Sequence, residues 1–297
     1  MNNSLEIPIY RNQADFEQNL PKTVEVLKTK EGNKVFLVGT VHFSLKSHHD
    51  VSTVIRNTNP SVVMLELCPL RKHMLDIDEE TLLREASALN LRRISEIFVQ
   101  KGLINGMFYL SFLRTNAKIT KQLGVAPGGE CRRAVEECKK LKHCKVLLGD
   151  RPIDITMQRA LSPLTWRDKL MLSSIFNEPS ISQMTPADVE AYKNRDIDYL
   201  RNLRLRFPSV YRSFVTERDQ ILAHNLMLAT KLSGRNYCNV VGVVGVGHMN
   251  GICESFGQTK PEEIMKMMKQ DLTPRPQNNG HNIIQNFSRI LNIFKHK

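Results

Sequence analysis

Four short apolar runs constrain this chain more than any other feature: KVFLVGTV (34–41), SVVMLEL (61–67), KVLLGD (145–150) and NVVGVVGVGH (239–248). Each is short, β-rich and bounded by turn-forming or polar residues, the pattern of a buried strand. Between the first two lies SHHDVSTVIRNTN (47–59), which reads as a helix with Ser47 as N-cap, Asp50 in the first turn and Pro60 after its end. Strand, helix and strand within about 33 residues make a βαβ unit, so 34–41 and 61–67 are expected to be parallel neighbours. The expected fold class is α/β, a mostly parallel sheet with flanking helices and a large helical insertion after the second strand.

That insertion is the Leu-, Arg- and Glu-rich stretch 78–143, broken at GVAPGGE (124–130). Further helices are expected at 152–161, 165–176, 186–205 and 209–232, with Thr185 and Pro186 opening the third of these. The organisation reads as an N-terminal segment (1–32), an α/β domain (33–254), and a polar linker with a basic amphipathic tail (255–297).

Composition narrows the function classes. The net charge of +12 is spread along the chain and interleaved with acids, and no nucleic-acid module is recognisable, so no specific nucleic acid is expected as a partner. No stretch reaches the length of a membrane span; GLINGMFYLSFL (102–113) comes nearest. The first residues lack the basic and apolar regions of a secretory signal. Six cysteines show neither a C-x-x-C pair nor zinc-like spacing, which suits reduced thiols in an intracellular, cytoplasmic protein.

The chemistry gathers at the strand ends. In an open parallel sheet, ligands bind beyond the carboxyl ends of the strands. Here those ends carry His42, Glu66, Asp150 with Arg151, and His248. Both histidines sit in Gly-x-x-His, as Gly39–His42 and Gly245–His248. Gly39 and Gly245 are expected to open space beside the imidazoles, and Gly247 and Gly251 to loosen the turn carrying His248. Two imidazoles and a carboxylate suit a divalent Zn, Mn, Fe or Co, and such an ion lowers the pKa of bound water to about 7. The same residues without metal suit general acid–base work.

Bland readings stand beside these. A histidine at a strand end is more often structural than a ligand. Arg71 is the natural partner of Glu66, so that pair reads equally as a structural ion pair. Glu217, Arg218 and Asp219 follow one another on a helix, so at most one or two reach a pocket, and Asp219 reads as part of a solvated face. His48 and His49 read as solvent-facing at a helix start.

Taken in order, VGTVHFSLKS, PSVVMLELCPLR, ITKQLGVAPGGECRRAVEEC, LLGDRPIDITMQRAL, VTERDQILAHNL and VVGVVGVGHMNGI resemble the TraB domain family over roughly residues 33–252. That family takes in bacterial pheromone-shutdown proteins and is related to the Tiki metalloproteases and erythromycin-esterase-like hydrolases. The resemblance implies an α/β fold with His42, His248 and Glu66 as metal ligands and active-site residues. It adds Glu130 to the site, and Arg71, Asp150, Arg151, Arg159, Glu217 and Arg218 around it. It also implies an address at the cytosolic face of the mitochondrial outer membrane.

The leading expectation is a metal-dependent, peptidase-like hydrolase acting on a peptide or small-molecule substrate, with Glu66 as ligand or general base and Arg151 or Arg71 stabilising negative charge. The alternatives are a metal-free esterase and a non-catalytic adaptor of the same fold at an organelle surface. Peripheral membrane contact through residues 284–297 is a further expectation.

Overall fold

Five strands form one sheet: β1 (Val24–Lys28), β2 (Lys34–Thr40), β3 (Val62–Leu65), β4 (Lys145–Leu148) and β5 (Asn239–Gly245). Their order is β1-β2-β5-β3-β4. The computed structural model describes residues 6–41, 44–77, 81, 91–102, 106–107, 109–111, 113–114, 128–175, 203–232 and 237–269. Strands β2, β5, β3 and β4 run parallel, and β1 adds an antiparallel edge to β2. The fold is therefore α/β, as the apolar runs predict.

Both faces of the sheet are covered, which is why β2, β3 and β5 are apolar throughout rather than alternating. Phe36, Val38, Val63, Leu65, Val241 and Val243 point to one face. There they meet Val51, Val54 and Ile55 of α2 (Leu45–Thr58) and Cys131, Ala134 and Cys138 of α4 (Gly129–Lys139). The alternate residues, Val35, Leu37, Val62, Met64, Val240 and Val244, pack against Leu222, Leu226 and Ala229 of α8 (Glu217–Leu232) and Ile252 of α9 (Met249–Ser255). A side chain at Gly242 would run into Leu226 and Leu37, so that glycine sets how closely α8 approaches the sheet. The remaining helices are α1 (Gln13–Gln18), α3 (Leu91–Lys101), α5 (Ile153–Leu161), α6 (Trp166–Ile175), α7 (Pro208–Tyr211) and α10 (Pro261–Met268). A second, helical cluster joins α5, α6 and α7 through Met157, Leu161, Leu172 and Val210.

Three expectations are corrected. Strands β2 and β3 are parallel but not neighbours, because β5 inserts between them and pairs with both. The βαβ rule fixes the direction of two strands and does not forbid a later one from filling the gap. Strand β1 was not foreseen in the N-terminal stretch; its mixed composition suits an edge with one buried face, where the inward Val24 does the packing. Helix α2 starts at Leu45, so Ser47 is not its N-cap. The Ser47 hydroxyl instead accepts from the Val41 N–H (2.9 Å), tying helix α2 to the exit of β2. The glycine break at 124–130 holds where it is described: Gly128 takes φ 78° just before α4, a conformation that favours glycine. The Thr185–Pro186 helix start lies outside the described residues, as does the tail 284–297.

Candidate functional site

The parallel strands all end on the same edge of the sheet, and three of them deliver polar groups there. Strand β3 continues into Glu66, whose N–H donates to Val243 O (3.0 Å). Its Oε2 accepts from the Gly245 N–H at 2.7 Å, at the exit of neighbouring β5. Past β5 a 3-10 turn (Val246–His248) swings His248 back over the strand end. There its Nε2 lies 3.4 Å from Glu66 Oε1 and its Nδ1 lies 2.5 Å from Asp219 Oδ1. Strand β4 supplies Asp150 and Arg151.

A π-helical turn (Arg212–Thr216) runs without a break into α8, and the residues just past it, Glu217, Arg218 and Asp219, border this crevice. π-helical turns of this kind recur at functional sites. Arg218 is the hub: its guanidinium bonds Glu66 Oε1, reaches Asp150 Oδ2 at 2.9 Å, and sets Nη1 3.0 Å from His248 Nε2. Burial disfavours its charge, yet the two carboxylates overcome this and raise the guanidinium above its ordinary value. Burial also works against an imidazolium at His248. The negative charge of Glu66 and the bond to Asp219 outweigh both burial and Arg218, and hold His248 at about 9.

Behind this layer lies a buried ion network. Arg151, 1% exposed, donates to Glu217 Oε2 (2.7 Å), Ser213 O (2.8 Å) and Thr156 Oγ1 (3.1 Å). Arg159 grips the same Glu217 with two bonds of 2.9 Å. Burial would raise the Glu217 carboxyl, but the two guanidiniums win and lower it. Arg151 also donates to Met267 O (2.9 Å), fastening the end of α10 to this network.

The strand-end reading thus brings together Glu66, Asp150, Arg151 and His248, with Arg159, Glu217 and Arg218 as implied by the resemblance. Arg71, offered as the partner of Glu66, lies 3.7 Å from Asp150 Oδ2. Glu130 is buried in the first turn of α4, and its charge and that of Glu66 both help burial to raise the Cys131 thiol. His42 lies outside the described residues. A side chain at Gly39 would press on Met249 at the start of α9. Gly247 lies exposed in the 3-10 turn. His48 and His49 are half-buried rather than solvent-facing, because α2 packs its first turns under α4 and the N-terminal stretch.

Asp219 departs from its expected place on a solvated face. It is 6% exposed and bonded to His248. Three successive residues of one helix all find partners here because the partners come from different elements around it: Arg151 and Arg159 for Glu217, Glu66 and Asp150 for Arg218, and His248 for Asp219. The signal available was Gly251: a side chain there would fall inside the Asp219 carboxylate.

The model of the TraB/PrgY/gumN family matches residues 26–265, which include every side chain of this site. The chain belongs to the TraB/PrgY/gumN family. It is 38% identical over 288 residues to the TraB domain-containing protein of Homo sapiens, covering 91% of this chain and 75% of that protein. Identity to the Mus musculus TraB domain-containing protein is 36% over the same shares, and to the Bos taurus one 39% over 84% of this chain and 68% of that protein. Among the described residues of this TraB-family chain, no helix is long and apolar enough to cross a membrane.

Whether the site suits a metal can be judged from its donors. Two ligands about 2.1 Å from a tetrahedral ion stand about 3.4 Å apart, the separation seen between His248 Nε2 and Glu66 Oε1. A carboxylate on the other nitrogen of a ligating histidine is the usual support, and Asp219 provides it. No group of three His, Cys, Asp or Glu able to hold a metal occurs among the described residues. Two donors have a suitable separation, but both face the Arg218 guanidinium, so an ion held there would have to displace it and find a third donor elsewhere.

Proposed function

We propose that this TraB-family chain is a metal-dependent hydrolase acting on a peptide-like carbonyl, with His248, Glu66 and His42 as the ligand set. The single observation carrying this reading is the Asp219–His248–Glu66 arrangement, which fixes one imidazole nitrogen and aims the other at a carboxylate oxygen. A divalent ion, when bound, supplies Lewis acidity to water and to a carbonyl oxygen. Asp219 accepts from the Nδ1–H of His248, and Nε2 would hold an ion once it gave up the proton that Glu66 and Asp219 otherwise keep on the ring. The Gly245 N–H fixes Glu66 Oε2, so Oε1 faces His248 and would serve either as a ligand or, with the ion held by the other donors, as the base for an attacking water. Arg218 and Arg71 place positive charge beside Asp150 at the mouth of the site, where an oxyanion would develop. Arg151 is too deeply bonded to reach substrate and instead positions α8.

The test is elemental analysis of the full chain and of the His42→Ala/His248→Ala double variant after incubation with Mn, Co, Zn and Fe, followed by peptide hydrolysis with and without chelator. About one equivalent of metal in the wild type alone, with turnover lost on chelation, supports the reading. Equal metal in both proteins, or turnover that survives chelation, overturns it.

A second reading rests on Arg218, whose guanidinium already bonds Glu66 and reaches His248 Nε2 at 3.0 Å. On that reading the cation of the site is arginine, and the scaffold serves as a binding or adaptor protein at the mitochondrial outer membrane, with its tail 284–297 on the membrane surface. A tail-deleted chain that loses its mitochondrial address, while His42→Ala retains it, would favour this reading.

A further inference from the structure

The six cysteines are all free thiols, but two of them are not apart. Cys138, in the last turn of α4, and Cys144, immediately before β4, hold their sulfurs 2.6 Å apart. Sulfur atoms in ordinary van der Waals contact stay farther apart than this, and a disulfide bond needs about 2.0 Å. The turn between them is already formed: Leu141 N donates to Cys138 O (3.0 Å) and Cys144 N to Leu141 O (3.3 Å). Closing the bridge therefore asks for no chain rearrangement. Cys138 is buried at 2% exposure, whereas Cys144 is half-buried and reachable from solvent.

We infer that Cys138 and Cys144 form a reversible intramolecular disulfide, a redox modification site at the opposite end of α4 and β4 from the strand-end crevice. The oxidant is a small disulfide of the glutathione class. The thiolate of the pair attacks it and releases one glutathione thiol, leaving a mixed disulfide. The other sulfur of the pair, held against the first, displaces the second glutathione. Two cysteine protons and two electrons pass to the two glutathione thiols, so the exchange balances. The Cys144 thiol donates to the Cys138 sulfur, which lowers the Cys138 pKa and raises its own, so the thiolate of the pair is Cys138. The bridge pins the end of α4 to the start of β4. The far ends of these elements carry Glu130 and Asp150, so it braces two sides of the site without touching it.

The test is to equilibrate the folded full chain against graded ratios of oxidised to reduced glutathione, quench by alkylation, digest with trypsin and map the peptides. Lys139, Lys140 and Lys142 lie between the two cysteines, so trypsin separates them unless a bridge joins the fragments. The expected result is a Cys138–Cys144 linked pair, unalkylated and two hydrogens lighter, that returns to thiols on reduction. The oxidised chain should melt about 5 °C higher than the reduced one, and Cys144→Ser should abolish both effects. Full alkylation of both cysteines at the most oxidising ratio overturns the inference. So does a bridge that forms only after unfolding, or bonds to another cysteine instead.

Discussion

His248 Nδ1 lies 2.5 Å from Asp219 Oδ1, and the contact exists because Gly251, on the helix that follows His248, leaves room for the Asp219 carboxylate. Three residues from two distant parts of the sequence thus depend on one missing side chain.

Gly251→Ala decides between two opposed effects. In a helix, alanine is favoured over glycine by about 1 kcal/mol. Here its methyl group would overlap the Asp219 carboxylate, and overpacking costs about 1–3 kcal/mol. The expected outcome is a net loss of stability in urea unfolding together with loss of metal binding. A stabilised variant would mean that Asp219 moves aside freely.

Asp219→Asn keeps the size of the group that supports His248 and removes its charge. Loss of such a support lowers metal affinity by about 10–100-fold. Titration of the variant with Co should show this weakening while circular dichroism remains that of the wild type. Unchanged affinity would remove Asp219 from the site's chemistry.

Glu217→Ala leaves the buried Arg151 without its carboxylate, and Arg159 as well. Breaking a buried pair from one side costs about 3–5 kcal/mol, which should appear as a lower urea midpoint. Replacing both partners, as in Arg151→Met/Glu217→Leu, should cost less than Glu217→Ala, because no charge is then stranded. A single variant as stable as the wild type would contradict the burial of the pair.

Away from the site, Glu137 gives a pH signature. Burial raises its carboxyl, but the bonds from Arg56 and Lys140 prevail and lower it from 4.5 to about 2. A folded-state pKa below the unfolded one contributes stability above pH 4.5 that is lost as pH falls toward 2. Acid unfolding should therefore be less steep across that window in Glu137→Gln than in the wild type. Identical pH dependence would show that the Arg56–Glu137 pair adds nothing.

The apolar runs alone determined that the chain builds a buried, mostly parallel sheet, because residues covered on both faces must be apolar at every position. They also determined that Glu66, Asp150, Arg151 and His248 meet, since parallel strands bring their carboxyl ends to one edge whatever their order. The order itself was not legible: β5 lies between β2 and β3 through pairings that span about two hundred residues, and no local pattern encodes them. Strand β1 escaped notice because an edge strand needs little apolar signal. The partners inside the crevice were likewise decided by the tertiary structure. Sequence proximity favoured Arg71 for Glu66, yet α8 delivers Arg218 from 152 positions away, and with it Asp219. A periodic pattern reports which side of a helix faces the core; it carries no information about which polar residues of that helix meet partners from other elements.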